Sequence, residues 1–328
     1  MLKDKVRTES YRDFIYGNKH LFRDKIVLDV GCGTGILSMF CAKAGAKHVY
    51  AVDNASILNK AREIIYQNKL ADKISCLRGK VEDISLPVAS VDIIVSEWMG
   101  YCLQYEAMLD SVLWARDKYL KIPGGLMIPS HCTLHLAPIV DSDGVSEDVD
   151  FWRDVYGFSM DPLLEMVYDN VAIRQVSPRN LVASSREVFR IPIHTIKVED
   201  LDFTSHFDYT LERDVECIDG WVLWFDTFFL PSSTTELPKG VVAHGANDLE
   251  SGSVAFTTGP MGPETHWKSG IMLIKHKTSN ESALREGQIL QGNIKTSKGK
   301  EDRRELDIAI DCMTSKSLEI TRQSWRLR

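Results

Sequence analysis

Two carboxylates, Glu97 and Glu106, stand nine positions apart in Ser96-Glu-Trp-Met-Gly-Tyr-Cys-Leu-Gln-Tyr-Glu106. The segment follows an apolar, β-branched run, Val91-Asp-Ile-Ile-Val-Ser96. Ligands of open parallel sheets bind beyond the carboxyl ends of such strands. Gly100 permits the chain to reverse between the two acids, so both can face one pocket. Trp98, Met99 and Tyr101 flank them and give that pocket walls. The plainer alternative makes Glu106 a first-turn helix residue favoured by the dipole and Glu97 a surface acid.

A second constellation lies upstream. Gly31, Gly33 and Gly35 follow the run Ile26-Val-Leu-Asp-Val30, and Asp53 ends the next such run. Glycines at a strand end bring backbone close to a ligand and open a helix, and a carboxylate about 20 residues further on can bind ribose hydroxyls. A dinucleotide site wants G-x-G-x-x-G, but position 36 is Ile. The spacing here is G-x-G-x-G, preceded by Asp29. S-adenosylmethionine carries a sulfonium and an ammonium, so a nearby acid helps it. The turn reads as a methyl-donor site, with a nicotinamide cofactor or a pure packing turn as alternatives.

These residues need elements to hold them. Strands are expected at Ile26–Val30, His48–Asp53, Ile74–Arg78 and Val91–Ser96. Helices are expected at Ile36–Ala44, stopped by Gly45, at Ile57–Asn68, and at Tyr105–Leu120. Apolar positions at helical spacing support the last two: Ala61, Ile64 and Ile65 with Asn68, then Met108, Leu109, Val112, Leu113, Ala115 and Leu120. Strand–helix alternation implies a parallel sheet covered on both faces. After Pro123-Gly-Gly125 strand-like runs succeed one another: Cys132–Leu136, Val215–Leu230, Gly270–Lys275, Ile289–Lys295, Leu306–Met313 and Leu318–Ile320. That is the pattern of an antiparallel barrel or sandwich, with the boundary near Pro129. Asp141–Tyr168 interrupts it with five acids and then Phe151, Trp152, Tyr156 and Phe158. So many aromatics need burial, and a partner subunit could supply it.

Composition bounds the rest. The chain has 328 residues, 44% hydrophobic, with net charge −7. This length suggests two domains. No apolar run suits a membrane span, and the charged opening Met1-Leu-Lys-Asp-Lys-Val-Arg lacks a signal-peptide core. An intracellular protein is expected. Seven widely spaced cysteines without C-x-x-C suggest neither a disulfide framework nor zinc. Residues 1–130 hold 18 bases and 15 acids, and residues 131–328 hold 21 bases and 31 acids. An acidic second half repels phosphate backbones and attracts cations.

Val27-Leu-Asp-Val-Gly-Cys-Gly-Thr-Gly-Ile-Leu, Ser96-Glu-Trp-Met-Gly-Tyr and Thr265-His-Trp267 occur in that order. Together they resemble the protein arginine N-methyltransferase family, over essentially the whole chain. The two-glutamate and Thr-His-Trp segments are more specific than the glycine motif. Within the family, Thr8-Glu-Ser-Tyr-Arg-Asp-Phe-Ile-Tyr16 and Asp53 look most like the branch of protein arginine methyltransferase 3. The resemblance implies a Rossmann-like methyltransferase domain over 1–129. A β-barrel domain over 130–328 would follow, with a helical dimerisation arm at 141–172. The family has a helix before the position of Met1 that closes over cofactor and substrate, and the branch has an amino-terminal zinc finger. The chain therefore reads as a catalytic core, with a cofactor-binding scaffold or a methyltransferase of another substrate class as alternatives.

Family roles carry over residue by residue. Arg7 would bind the cofactor carboxylate, and Asp29, Gly31 and Gly33 would line its methionine part. Asp53 would take the ribose, and Val81 and Glu82 the adenine edge. Glu97 and Met108 would also border the cofactor. Glu97 and Glu106 would clamp a substrate guanidinium, with His266 and Asp4 as an ion pair across the pocket. Met1, Met99, Tyr101 and Trp267 would shape the acceptor side. The implied cofactor is S-adenosyl-L-methionine, released as S-adenosyl-L-homocysteine, with no metal. The implied product, through resemblance to the type I group, is monomethyl- and asymmetric dimethylarginine. Implied partners are arginine-containing proteins, a ribosomal protein or Arg/Gly-rich segments among them, and a second copy in a homodimer. Neither nucleic acid nor membrane is expected, and the cytoplasm is the expected location, with the nucleus open.

Overall fold

The computed structural model describes residues 1–245, 249–275, 283–314 and 317–328, with side chains left undescribed over 314–320. Five short strands form a parallel sheet: β1 (Ile26–Val30), β2 (His48–Asp53), β3 (Ile74–Arg78), β4 (Ile93–Val95) and β5 (Leu126–Ile128). Their order is β3-β2-β1-β4-β5. Both faces are covered, which is why β1 and β4 read as continuous apolar runs. The chain reverses direction across the sheet between β1 and β4, so the crevice lies at their carboxyl ends. Gly31–Gly35 leaves β1 there and Ser96–Glu106 leaves β4.

Helices α1 (Lys5–Gly17), α2 (Lys19–Phe22), α3 (Ile36–Lys43), α4 (Leu58–Gln67) and α5 (Leu109–Tyr119) accompany this sheet. The sequence reading places no helix before β1, yet α1 has a clear stripe. Arg7, Tyr11, Phe14 and Ile15 share its buried face, and Asp4 caps its first turn. Such spacing puts all four on one side. All three expected helices are trimmed, α3 by one residue to Ile36–Lys43. The α4 stripe is Leu58, Ala61 and Ile65, whereas Asn68 is exposed and caps the helix end, its amide donating to the Ile64 carbonyl. α5 starts at Leu109, because Glu106 and Ala107 have left-handed backbone, φ +76° and +53°. The strand at 91–96 contracts to 93–95.

From His131 onward the sheets are antiparallel. β6 (His131–Ile139), β7 (Ala172–Arg174), β8 (Arg186–Pro192), β10 (Gly220–Phe229), β11 (Val254–Thr257) and β12 (Ser269–Leu273) form one sheet. β9 (Phe203–Thr210), β13 (Ile289–Lys298), β14 (Leu306–Thr314) and β15 (Ser317–Leu327) form the other. Together they make the expected barrel domain. β7, β8, β9 and β11 are additions to the expected strands. In β9 a readable signal was present, since Phe207 and Tyr209 alternate with exposed His206, Asp208 and Thr210.

The insertion after β6 carries α6 (Ser142–Asp148) and α7 (Leu164–Asp169). Val145, Leu164, Val167 and Tyr168 pack inward on a cluster containing Trp224 and Ile271. Phe151, Tyr156, Phe158 and Met166 point outward and are exposed.

One core runs through both parts. Tyr11 and Phe14 of α1 pack on Phe229 of β10, with ring centroids 4.8 and 5.7 Å apart. Arg116 Nη1 donates to the Ile193 and Ile196 carbonyls at 2.7 and 2.8 Å. No helix among the described residues is long and apolar enough to cross a membrane.

Candidate functional site

The glycine turn forms the floor. The Gly33 amide donates to Asp53 Oδ2 at 2.8 Å, and the Ala55 amide to Asp53 Oδ1 at 2.7 Å. Gly33 has φ +54°, and a side chain there would meet none of the described residues within 4 Å, so the turn has an open face. At Gly31 the reason for glycine differs. A Cβ would fall 2.1 Å from the terminal methyl of Met108, which lies over the turn. Asp29 is fully buried beneath it. Ser38 Oγ donates to its Oδ2 at 2.6 Å, while its Oδ1 has no partner among the described residues. Burial pushes the Asp29 carboxyl up to about 7, against the opposing bond from Ser38.

The two glutamates occupy different surroundings. Glu97 follows β4 and is 7% exposed. Arg7 Nη2 donates to its Oε2 at 3.0 Å, and Arg7 Nε has no partner among the described residues. Burial raises the Glu97 carboxyl, while Arg7 pulls it back. Buried ion pairs of this kind resist loss of one member by about 3–5 kcal/mol. Glu106 is not a first-turn helix residue. It sits in a left-handed turn ahead of α5, exposed, with Arg304 Nη2 3.4 Å from its Oε1. Its amide donates to the Arg304 carbonyl at 2.7 Å. Each acid is thus held by an arginine of this chain.

Asp4 and His266, 262 positions apart, are brought together. The His266 ring nitrogen Nδ1 lies 2.7 Å from Asp4 Oδ2, which also accepts the His266 amide at 2.8 Å. Asp4 Oδ1 accepts the Arg7 amide at 3.0 Å, so one carboxylate ties α1 to the barrel and to Arg7. Burial acts to raise the Asp4 carboxyl, but the Arg7 and His266 bonds outweigh it and hold it low. Burial lowers His266, only partly offset by Asp4. A carboxylate accepts at Nδ1, so in the neutral ring Nδ1 carries the proton and Nε2 is the acceptor nitrogen.

The other expected residues vary in placement. Trp267 is buried and its Nε1 donates to the Met99 carbonyl at 2.7 Å. Met99 is buried, with the Tyr11 hydroxyl 3.9 Å from its sulfur. That hydroxyl also donates to the Ser96 carbonyl at 2.9 Å. Tyr101 and Met1 are exposed. Val81 is buried, and Glu82 accepts the Ser111 hydroxyl at 2.5 Å. Sequence reasoning missed Tyr11 and Arg304. The helical stripe of α1 signals Tyr11, and nothing local signals Arg304.

The residues suit S-adenosylmethionine on grounds visible in the fold. The orphaned, buried Asp29 Oδ1 and the open face at Gly33 stand together at one strand end. Arg7 offers an unpartnered N–H for a carboxylate, and Glu97 an acid for a cation. Among the described residues no cluster of three or more His, Cys, Asp or Glu side chains could hold a metal.

A five-stranded parallel sheet with its crevice at the β1/β4 switch point is a Rossmann-like α/β domain. Residues 27–117 match the family described as a methyltransferase domain, and residues 130–316 the arginine methyltransferase oligomerization subdomain. The ribosomal protein arginine N-methyltransferase rmt3 of Schizosaccharomyces pombe is 48% identical over 94% of this chain. The chain spans 54% of that relative's length. Protein arginine N-methyltransferase 1 of Saccharomyces cerevisiae is 44% identical, covering 94% of this chain and 83% of the relative. Among solved structures, a Trypanosoma brucei PRMT1 enzyme-prozyme heterotetrameric complex with AdoHcy matches with TM-score 0.85 and 35% identity. That match covers all of this chain and 96% of the other. Arabidopsis thaliana protein arginine methyltransferase 10 matches with TM-score 0.81 and 30% identity, over 100% and 96% of the two chains. The chain belongs to the protein arginine N-methyltransferase family.

Proposed function

We propose that this chain transfers methyl groups from S-adenosyl-L-methionine to a terminal guanidino nitrogen of protein arginine. The observation that carries this is Glu97. It is a carboxylate buried at the sheet's switch point, paired to Arg7 and beside the open glycine turn. The domain division at 129/130 and the arm at 141–172 belong to the same reading.

Arginine is a poor nucleophile, since its charge is delocalised and its pKa exceeds about 12. When bound, the cofactor supplies an electrophilic methyl on a sulfonium. Asp29, Gly31 and Gly33 hold its methionine part, with Arg7 on its carboxylate. Asp53 takes the ribose, and Val81 and Glu82 the adenine. Met108, lying over Gly31, borders the same side. Glu97 and Glu106 accept N–H bonds from the substrate guanidinium and draw its positive charge toward those nitrogens. The remaining terminal nitrogen then regains lone-pair character. Such positioning contributes several kcal/mol, up to about 7–11 in ideal cases. Asp4 orients His266, whose neutral ring offers Nε2 to receive a proton. Met1, Met99, Tyr101 and Trp267 form the acceptor side.

Asymmetric dimethylarginine is the proposed product, and Arg/Gly-rich segments or a ribosomal protein the proposed substrates. The name of rmt3 supports the latter. We also propose a homodimer in which Phe151, Tyr156, Phe158 and Met166 of the arm meet a second copy. The cytoplasm is the proposed location.

The second reading is a cofactor-binding scaffold. What favours it is that Arg7 and Arg304 already engage the two glutamates. Incubation with labelled cofactor and an Arg/Gly-rich peptide, with an Arg→Lys peptide as control, separates the two. Label on the Arg peptide alone supports methyl transfer. Cofactor binding without label on either peptide supports the scaffold.

A further inference from the structure

We infer that the β13–β14 hairpin of the barrel is a positioning element for Glu106, acting through Lys298 and Arg304. This rests on the reading above, in which Glu106 holds substrate. The turn that carries Glu106 is conformationally costly. Cys102, Leu103, Glu106 and Ala107 all have positive φ without being glycine. Residues of this kind persist only where their surroundings hold them. Within the loop, the Gly100 and Leu103 amides exchange bonds with each other's carbonyls at 3.0 Å. Glu106 itself is held from outside, by a residue 198 positions away.

The hairpin grips the turn at two points. Behind it, Lys298 Nζ is buried in an ion pair with Asp110 Oδ1, on the first turn of α5. Arg303 Nη2 approaches the other Asp110 oxygen at 3.5 Å. In front, the Arg304 carbonyl accepts the Glu106 amide and the Arg304 guanidinium faces the Glu106 carboxylate. A strained turn pinned on both sides presents its carboxylate in one direction. Without the hairpin it would sample several, and small misplacement of a clamping group is costly in rate. The barrel thereby reaches the chemistry through a positioning residue rather than a catalytic one.

The Arg304 side chain is largely exposed, so its removal leaves the fold intact. In the full chain, Arg304→Ala is expected to lower kcat about tenfold, with peptide KM and cofactor Kd within about twofold of the parent. Arg304→Lys keeps the charge and recovers most of that loss. Amide hydrogen exchange across 100–108, which needs no turnover, should be faster in Arg304→Ala and in Lys298→Met. Unchanged kcat together with unchanged exchange overturns the inference. So does a lower peptide KM at unchanged kcat, which would make Arg304 a competitor of substrate. If the parent labels no arginine peptide, the methyl-transfer reading fails, and the exchange measurement alone decides the hairpin's role.

Discussion

Glu97 and Glu106 belong to one loop but to different environments. Glu97 emerges from the parallel sheet into buried surroundings, paired to Arg7, where every charge is expensive. Glu106 stands at the rim, exposed, on a left-handed turn that the barrel holds in place. The buried half of the site is organised by strand ends: Glu97 is paired to Arg7, and Asp29, which has no ion pair among the described residues, is pushed toward its neutral form by burial. The exposed half pays little for its charge and instead needs help to hold a direction. One half is vulnerable through electrostatics and the other through geometry.

That contrast can be broken by mutation. Glu97→Gln should lower kcat about a thousandfold, far more than cofactor affinity changes. It should also destabilise the chain by about 3 kcal/mol, because Arg7 is left buried without its counter-charge. Glu106→Gln should cut kcat about a hundredfold yet alter stability by less than about 0.5 kcal/mol. Equal stability losses in the two variants, read by thermal melting, would erase the distinction. Equal loss of cofactor binding and rate in both would count against a guanidinium clamp.

A smaller effect sharpens the buried half. Asp29 titrates near 7 in the free protein because burial disfavours its charge. A cationic cofactor needs it ionised. Binding therefore releases a proton below that pH, and cofactor affinity should fall about tenfold from pH 8 to pH 6. Calorimetry on Asp29→Asn should show that slope flattened, and a wild-type slope in the variant would remove Asp29 from the account.

The remaining effect is on stability alone and lies where the two parts of the molecule meet. Burial lowers both His131 and His194 to about 4. Between there and their unfolded value near 6.5, the folded chain binds fewer protons than the unfolded one. Stability should thus be full above about 6.5 and decline as pH falls toward 4, by about 2 kcal/mol per histidine at pH 5. Melting at pH 7 and pH 5 checks this, with His131→Asn/His194→Asn expected to narrow the difference.

Much of this was legible in the residues. The glycines after β1, the acid ending β2 and the carboxylates after β4 are local signals, and the strand–helix alternation that places them has short periods. The outward aromatics of the arm also announced themselves by type. The amino-terminal helix was legible but unread, since its stripe includes an arginine where an apolar residue is expected. The start of α5 was misread, because apolar spacing continued through a turn whose left-handed residues are Glu and Ala rather than Gly.

The sequence alone determined which side chains could do chemistry and which strand ends would carry them, because propensity and periodicity act over a few residues. Only the tertiary structure decided the pairings. Arg7 with Glu97, Asp4 with His266 and Glu106 with Arg304 join residues 90, 262 and 198 positions apart. Such pairings follow from packing and from the cost of burying charge, and no local pattern records either.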